Sequence, residues 1–411
     1  MKILILGVSG FIGRELYAEL CAQGHQVVGC SRKVVPNIRW RHFDFRQDSV
    51  HWENLIADMD LVINTIGIYE ETNTQSFSLI HTDGPIRFFY VCKKFNKKVI
   101  QISAIGAEKK KPVTEFLRSK HQADQFLLNN NIPCVVLYPG IVLGEGGRST
   151  QQLSILARLW IIPSVFKRQQ GLPLTSVAQL RDEVINIVNQ WPGDNRRQIV
   201  FTQVEPIEKL FSALRFWMGL SQPLMVYIPN WLTRSVFHLF PHFSIGAFNK
   251  DSLAMLTSFS QQHFSNTLGE SATASLVKKK PSVDFVKAIK EKQLYYLNVA
   301  ILSFIWIMSG ISSLIAFDIS RDLMAELGQR GEAADFIIVT AALGDIFLGL
   351  AIWFTQVRDK VLFVQIGVIA IYSLIITLTM PEYWLHPFAP VIKNLAMLML
   401  IFYLLKEKKN V

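Results

Sequence analysis

Three glycines at regular spacing carry the most specific chemistry in this 411-residue chain: Gly7-Val8-Ser9-Gly10-Phe11-Ile12-Gly13. Ahead of them runs Lys2 to Leu6, a short block of β-forming residues, and Phe11 to Gln23 follows with helical character. A strand, a glycine turn and a helix in that order form the context in which such glycines grip a dinucleotide. The first permits the tight turn, the second lets a pyrophosphate approach the backbone, and the third packs helix on sheet. Phosphate then rests on the free N–H groups that open the helix. Gly7, Ser9, Gly10, Phe11, Ile12 and Gly13 are therefore candidate cofactor-binding residues.

The end of the next strand, Gln26 to Cys30, selects the cofactor. An acid there would accept hydrogen bonds from the adenosine ribose of NAD, but the residues are Ser31, Arg32 and Lys33. A hydroxyl and two cations suit a 2′-phosphate, so NADP is expected rather than NAD. Further strands are expected at Arg39 to Phe45, Leu61 to Ile66, Val99 to Ile102 and Cys134 to Leu137. Helices at Ile80 to Phe95 and Glu115 to Asn129 separate them. Such alternation predicts an α/β fold with a doubly wound parallel Rossmann sheet.

With these motifs in place, the first 270 residues or so resemble an atypical extended short-chain dehydrogenase/reductase. They are most similar to the branch that contains the NAD(P)-binding accessory subunit of respiratory complex I. The resemblance implies that Asp44 lies near the adenine and that Asn64-Thr65-Ile66-Gly67 lines the cofactor through Asn64 and Gly67. It also implies an active-site hydroxyl at Ser103, a ribose-holding lysine at Lys120, and Tyr138-Pro139-Gly140 beside the nicotinamide through Pro139. Ser103 and Lys120 are accordingly the candidate catalytic residues.

One position departs from the family pattern. Phe116 stands where these enzymes have the tyrosine that exchanges a proton while the cofactor moves hydride. Losing a general acid typically lowers the rate by about 10²–10⁴. Three accounts remain open: a substitute donor, with Tyr69 and Tyr138 as candidates; a quinone-like substrate needing little acid catalysis; or a domain that binds NADPH without turning it over.

Composition sets the wider frame. Half of the residues are hydrophobic and 18% are charged, a low charged share for a wholly soluble protein. Net charge is +10, from 42 Lys plus Arg against 32 Asp plus Glu. Much of the surplus flanks late apolar stretches, as in Lys278-Lys279-Lys280 and Lys406-Glu407-Lys408-Lys409. Lipid contact explains that placement better than nucleic acid does. Cys21, Cys30, Cys92 and Cys134 lack metal-ligand spacing and read as buried reduced thiols; no metal site is expected.

Four apolar runs close the chain, at Leu294 to Phe317, Phe336 to Thr355, Val361 to Met380 and about Pro387 to Leu405. Each approaches the roughly 20 residues that cross a bilayer. Leu343-Gly344-Asp345-Ile346-Phe347-Leu348-Gly349-Leu350 and Pro390-Val391-Ile392-Lys393-Asn394-Leu395 resemble the DoxX-like four-helix membrane family. Asp345 and Lys393 are expected to face each other inside an all-α four-helix transmembrane bundle.

The expected organisation is a Rossmann core over 1–145, a small substrate-binding part over 146–280, a linker over 281–293 and the DoxX-like bundle over 294–411. The aromatic stretch from Phe216 through Tyr227 and Trp231 to Phe243 reads as core packing or, alternatively, as a greasy entrance facing the bilayer. Loop charge places both termini in the cytoplasm and the chain in the inner membrane. Expected partners are membrane lipid, a hydrophobic small molecule, and a membrane complex or a second copy of the chain. The expected function is a membrane-anchored NAD(P)-dependent oxidoreductase, the alternative an NADPH-binding assembly or sensing subunit.

Overall fold

The computed structural model describes residues 1–72, 74–164, 171–201, 203–229, 231, 235, 250–260, 270–354, 357–385 and 390–407. The chain divides into two compact units. One comprises Met1–Ser235 with Lys250–Val286, the other Val236–Asn249 with Lys287–Val411.

Apolar residues in unbroken runs build the first unit. The early elements are β1 (Lys2–Leu6), α1 (Phe11–Ala22), β2 (Gln26–Ser31), β3 (Trp40–His42), α2 (Ser49–Ile56), β4 (Leu61–Asn64) and α3 (Gly84–Lys94). Next come β5 (Lys98–Ile102), α4 (Glu115–Asn129), β6 (Cys134–Pro139), β7 (Ile141–Leu143), α5 (Arg148–Ala157) and β8 (Ile161–Ser164). After these lie β9 (Gly171–Ser176), α6 (Val177–Asn189), β10 (Arg196–Val200), β11 (Gln203–Pro206), α7 (Ile207–Trp217) and β12 (Leu224–Tyr227).

Seven strands pair in the order β10-β6-β5-β4-β1-β2-β3, and every pairing among them is parallel. Side-chain alternation buries both faces. Leu4 and Leu6 of β1 join Phe43, Trp52, Phe88 and Leu117 on one side, while Ile3 and Ile5 join Leu16, Leu20, Leu180 and Val184 on the other. Helices on both faces of a parallel sheet define the doubly wound α/β class. Smaller sheets, β11-β9-β7 and β12-β8, belong to the later part of this unit.

Several elements differ from expectation, for physical reasons. Strand β3 is only three residues long, because Phe43 and Phe45 leave the ladder to pack against each other and, through Phe43, against Trp52 and Phe88. The helix expected from Ile80 begins as a π-helical turn, Ser78–Asp83, before α3. Pro85 has no N–H to return to His81, and the amide of Gly84 instead reaches back five residues to the Leu79 carbonyl. Cys30, Cys92 and Cys134 are buried free thiols as expected, but Cys21 is exposed. Trp217 is buried, whereas Phe216, Tyr227 and Trp231 are exposed; Phe237, Phe240 and Phe243 lie outside the described residues.

Helices α8 (Lys250–Ser260) and α9 (Ala272–Val277) complete the first unit. A 33-residue helix, α10 (Val283–Ile315), then leads into the second. Most of the stretch expected as a linker over 281–293 is therefore helical; its lysines alternate with Val286, Ile289 and Leu294, a helix-compatible pattern.

The second unit continues with α11 (Phe317–Glu326), α12 (Glu332–Ala351), α13 (Arg358–Thr379) and α14 (Pro390–Glu407). Among the described residues three helices, α10, α12 and α13, are long and apolar enough to cross a membrane, and α14, within the fourth expected span, is not one of them. Tyr295, Val299, Trp306, Leu348, Ile369, Ile401 and Leu404 form its core. Phe304, Phe336, Phe347, Phe363, Leu378 and Phe402 point outward, as lipid-facing residues do. Asp345 is buried and accepts a hydrogen bond from the Ser309 hydroxyl of α10 at 2.7 Å. The expected partnership with Lys393 is not formed: Lys393 is exposed, and among the described residues no ion pair joins the two. Ser309 lies across the α10–α12 contact and satisfies the carboxyl in its place.

Candidate active site

Strand order reverses between β1 and β4, and in open parallel sheets the crevice at the carboxyl ends of the strands beside such a reversal receives ligands. Gly7 leaves β1 at φ +86°, and a Cβ there would stand 2.8 Å from Thr65 Oγ1. Gly13 is tighter still, because its Cβ would lie 2.4 Å from the Gly7 carbonyl oxygen. Helix α1 makes its first i to i−4 bond from the Arg14 amide to Gly10 at 3.1 Å. The amides of Phe11, Ile12 and Gly13 consequently lack intrahelical acceptors. No acid occupies that first turn, and Ser9 and Gly10 are exposed. Phe11 packs its ring beneath the turn at Gly144 and Gly147, while Ile12 is half-buried against the core.

At the end of β2, Ser31 is buried and its hydroxyl is already engaged. It donates to the Lys33 carbonyl at 2.7 Å and accepts from the Trp40 indole at 2.9 Å. Ser31 thus shapes the loop that presents Arg32, whose exposed guanidinium reaches Gln75 at 3.4 Å. Asp44 takes a forked contact from Arg46, the closest arm at 2.6 Å. That hydrogen bond holds the Asp44 carboxyl below its ordinary range despite partial burial.

Beyond β4 the chain is pinned by its own polar side chains. Asn64 is buried, donates to Gln101 at 2.8 Å and accepts from the Ile66 amide at 3.1 Å. The Thr65 hydroxyl donates to the Leu6 carbonyl at 2.7 Å. Gly67 is exposed, and the space where a Cβ would sit lies 3.5 Å from both His81 Nε2 and Lys120 Nζ. Pro139 ends β6 and accepts the Ile105 amide at 2.9 Å, while the Ser103 amide donates to Leu137 at 2.8 Å. These bonds fix the loop after β5.

Helix α4 begins where Thr114 caps the Leu117 amide. Phe116, Lys120 and Asp124 then fall at successive four-residue intervals on one stripe. Lys120 is buried, with Nζ 3.5 Å from the Ile102 carbonyl and 5.6 Å from the Phe116 ring centre. Burial lowers its pKa, and the carboxylate of Asp124 restores part of the drop. Ser103, expected to face substrate, donates to Asp124 Oδ2 at 2.5 Å. Asp124 is wholly buried and its pKa is pushed up to about 7 by desolvation, against the pull of Ser103, Lys120 and Arg197. Tyr138 lies beside the same carboxylate; among the described residues neither its hydroxyl nor Asp124 Oδ1 finds a partner with hydrogen-bond geometry. Tyr69, the other proposed donor, lies near Phe116 with ring centres 5.7 Å apart and the rings tilted by 51°.

His81 went unnoticed in the sequence. The π-helical turn points it inward, where Nε2 accepts the Ile68 amide at 3.0 Å. Its Nδ1 lies 3.1 Å from the Ser119 hydroxyl, which itself donates to the Phe116 carbonyl at 2.9 Å. That chain of donors requires the neutral Nδ1–H tautomer. Burial, followed by the Lys120 charge, holds the imidazole well below its ordinary pKa. His81 positions the Phe116 turn and keeps no proton in reserve. Asp124 was missed as well: its place two turns beyond Phe116 gains meaning only where the neighbouring strands bury it.

Glycine turn, parallel sheet and lysine helix together define a dinucleotide-binding oxidoreductase-type domain. Residues 3–182 match the NAD dependent epimerase/dehydratase family, and residues 303–402 match the DoxX-like family. The protein is thus a fusion of an epimerase/dehydratase-type NAD(P)-binding domain with a DoxX-like membrane domain. It is 27% identical over 173 residues to the Arabidopsis thaliana mitochondrial NADH dehydrogenase [ubiquinone] 1 alpha subcomplex subunit 9. That match takes in 38% of this chain and 41% of the relative's length. In fold it is similar to MoeE5 in complex with UDP-glucuronic acid and NAD, at TM-score 0.50 and 16% identity over 68% of this chain and 98% of that one. The MoeE5 complex with UDP-glucose and NAD gives 0.51 and 15%, over 70% and 99%.

Proposed function

We propose that the protein is a membrane-anchored NADP(H)-dependent oxidoreductase acting on a hydrophobic carbonyl, quinone or isoprenoid compound. Lys120 carries this reading. It is a buried ammonium with three donors, and its only hydrogen bond among the described residues is the long one to Ile102, so donors remain for ribose hydroxyls beside the open Gly67. The glycine turn fits the group equally well, since side chains at Gly7 and Gly13 would collide with backbone or Thr65. When bound, the nicotinamide supplies hydride.

In this reading Gly7, Gly10 and Gly13, with the amides of Phe11 and Ile12 and the Ser9 loop, hold the pyrophosphate. Arg32, set by Ser31, meets the 2′-phosphate, and Asp44 borders the adenine. Asn64, Gly67 and Pro139 line the nicotinamide half, while Ser103 faces the substrate. Apolar helices on the same chain favour a substrate drawn from the bilayer. Lysine-rich flanks favour an orientation with both termini on the cytoplasmic side of the inner membrane, where NADP(H) is available. A membrane complex or a second copy of the chain is the expected partner.

A second reading, a redox-inert NADPH-binding assembly or sensing subunit, is favoured by Phe116, which cannot exchange a proton. The likeness to a subunit of a respiratory complex supports it too. Titrating full-length protein with NADPH and NADH, then following NADPH consumption with ubiquinone-1 and decanal, separates the two. Consumption establishes the oxidoreductase; tight binding without consumption establishes the subunit; binding of neither nucleotide removes both.

A further inference from the structure

We propose that Asp124 and Ser103 replace the missing tyrosine as a two-member proton donor, Asp124 acting through Ser103. The proposal rests on the oxidoreductase reading above. Its basis is geometric. The Ser103 hydroxyl sits on the loop after β5, locked by its amide to Leu137, and its oxygen is 2.5 Å from Asp124 Oδ2. Both residues are buried; the Tyr138 hydroxyl lies beside the Asp124 carboxyl, and Asp124 Oδ1 has no partner in hydrogen-bond geometry among the described residues.

The direction of that one hydrogen bond decides what Ser103 can do. With Asp124 ionised, Ser103 must donate inward, and its oxygen offers a substrate only lone pairs. With Asp124 protonated, the carboxylic acid donates to Ser103 Oγ and the hydroxyl hydrogen is released to point outward. As a carbonyl carbon accepts hydride and its π pair moves to oxygen, that oxygen takes the Ser103 proton. The Asp124 proton passes to Ser103 Oγ, leaving a carboxylate that regains a proton from water. The carbonyl becomes an alcohol and NADPH becomes NADP⁺, so the electrons balance.

The groups around Asp124 set its titration. Ser103 follows β5, Lys120 belongs to α4, Tyr138 and Cys134 lie on β6 and Arg197 on β10. Two cations favour the carboxylate, whereas burial opposes it and dominates, leaving a group that changes state near neutral pH. A buried acid of this kind can hold and release a proton at working pH, as a general acid must. Ser103 would be the catalytic residue touching substrate, and Asp124 its positioning and proton-supplying partner.

Two measurements on full-length protein in detergent test this. In infrared difference spectra taken between pH 5.5 and 8.5 without cofactor, a protonated-carboxyl band should titrate near neutrality. It should vanish in Asp124→Asn and shift in Ser103→Ala. Absence of the band in the wild type overturns the proposal while leaving the oxidoreductase reading intact. With NADPH and decanal, single-turnover rates should fall about tenfold per pH unit above the transition. Ser103→Ala should flatten that profile and slow turnover, and Ser103→Thr, which keeps the hydroxyl, should restore both. An unchanged profile in Ser103→Ala overturns the relay. No NADPH consumption by the wild type overturns the oxidoreductase reading and the delivery step together. Should Asp124→Asn fail to fold, the serine pair still decides.

Discussion

Replacing Gly13 with alanine tests the glycine turn at its tightest point. The new Cβ would stand 2.4 Å from the Gly7 carbonyl oxygen and 2.9 Å from Val8 Cα. Ordinary contact begins at 3.4 Å, so turn and helix must part by 3.4 − 2.4 = 1.0 Å. Both obstacles are backbone, and no rotamer change relieves them. Overpacking of this sort typically destabilises by about 1–3 kcal/mol. The shift also carries the amides of Phe11 and Ile12 out of register with a pyrophosphate. Each charge-assisted hydrogen bond lost there is worth about 1.5–3 kcal/mol, which lowers NADPH affinity by about 10- to 100-fold. Gly193→Ala is the control, since nothing lies within 4 Å of its Cβ position. Thermal unfolding followed by tryptophan emission, with NADPH titration on the same samples, reads both effects. Gly13→Ala binding NADPH as tightly as the Gly193→Ala control would refute the reasoning.

Arg32→Ala should weaken NADPH by about tenfold or more and leave NADH nearly unchanged, because on this proposal the exposed guanidinium meets the 2′-phosphate, which NADH lacks; equal losses in competition titrations would reject that role. In the Ser103→Ala background, where the relay is cut, Phe116→Tyr should raise NADPH turnover by up to about 10²–10⁴, the new hydroxyl lying on the helix turn that faces Lys120; an unchanged rate there counts against a reductase geometry. Lys120→Met should bind NADPH at least about tenfold more weakly while folding more stably, since an incompletely compensated buried charge is removed; unfolding in urea and dye-free fluorescence titration measure the two. For pH, the folded Asp124 holds its proton up to about 7 whereas an unfolded aspartate releases it near 3.8. Stability from this group is therefore full below that lower value and declines as pH rises towards 7. The melting midpoint should fall between about pH 4 and 7 in the wild type and fall less in Asp124→Asn.

Much of the first unit was legible because local chemistry and burial agree there. The glycine turn follows a strand of consecutive apolar residues, and α4 begins at a threonine cap and runs over the residues expected, Glu115–Asn129. The π-helical turn was not legible, since apolar spacing runs smoothly from Ile80 to Phe95 and only Gly84-Pro85 marks the extra residue. His81 stayed hidden for the same reason. Asp124 reads as a surface acid on an amphipathic helix until β5, β6 and β10 converge on it, a tertiary fact absent from any local window. In the second unit the apolar helices were plain from hydropathy. The partner of Asp345 was not, because a serine hydroxyl can donate to a carboxyl as a lysine can and periodicity does not say which faces meet.

On the reading proposed above, the amino-terminal domain holds NADP(H) through its glycine turn and Lys120. Equilibrium titration of the full-length protein with NADPH, read by the rise in nicotinamide fluorescence, tests it most directly. Saturable binding in the micromolar range, about −8 kcal/mol, that is weakened in both Gly13→Ala and Lys120→Met is the predicted result. No binding at concentrations up to about 1 mM in protein that remains folded would contradict it.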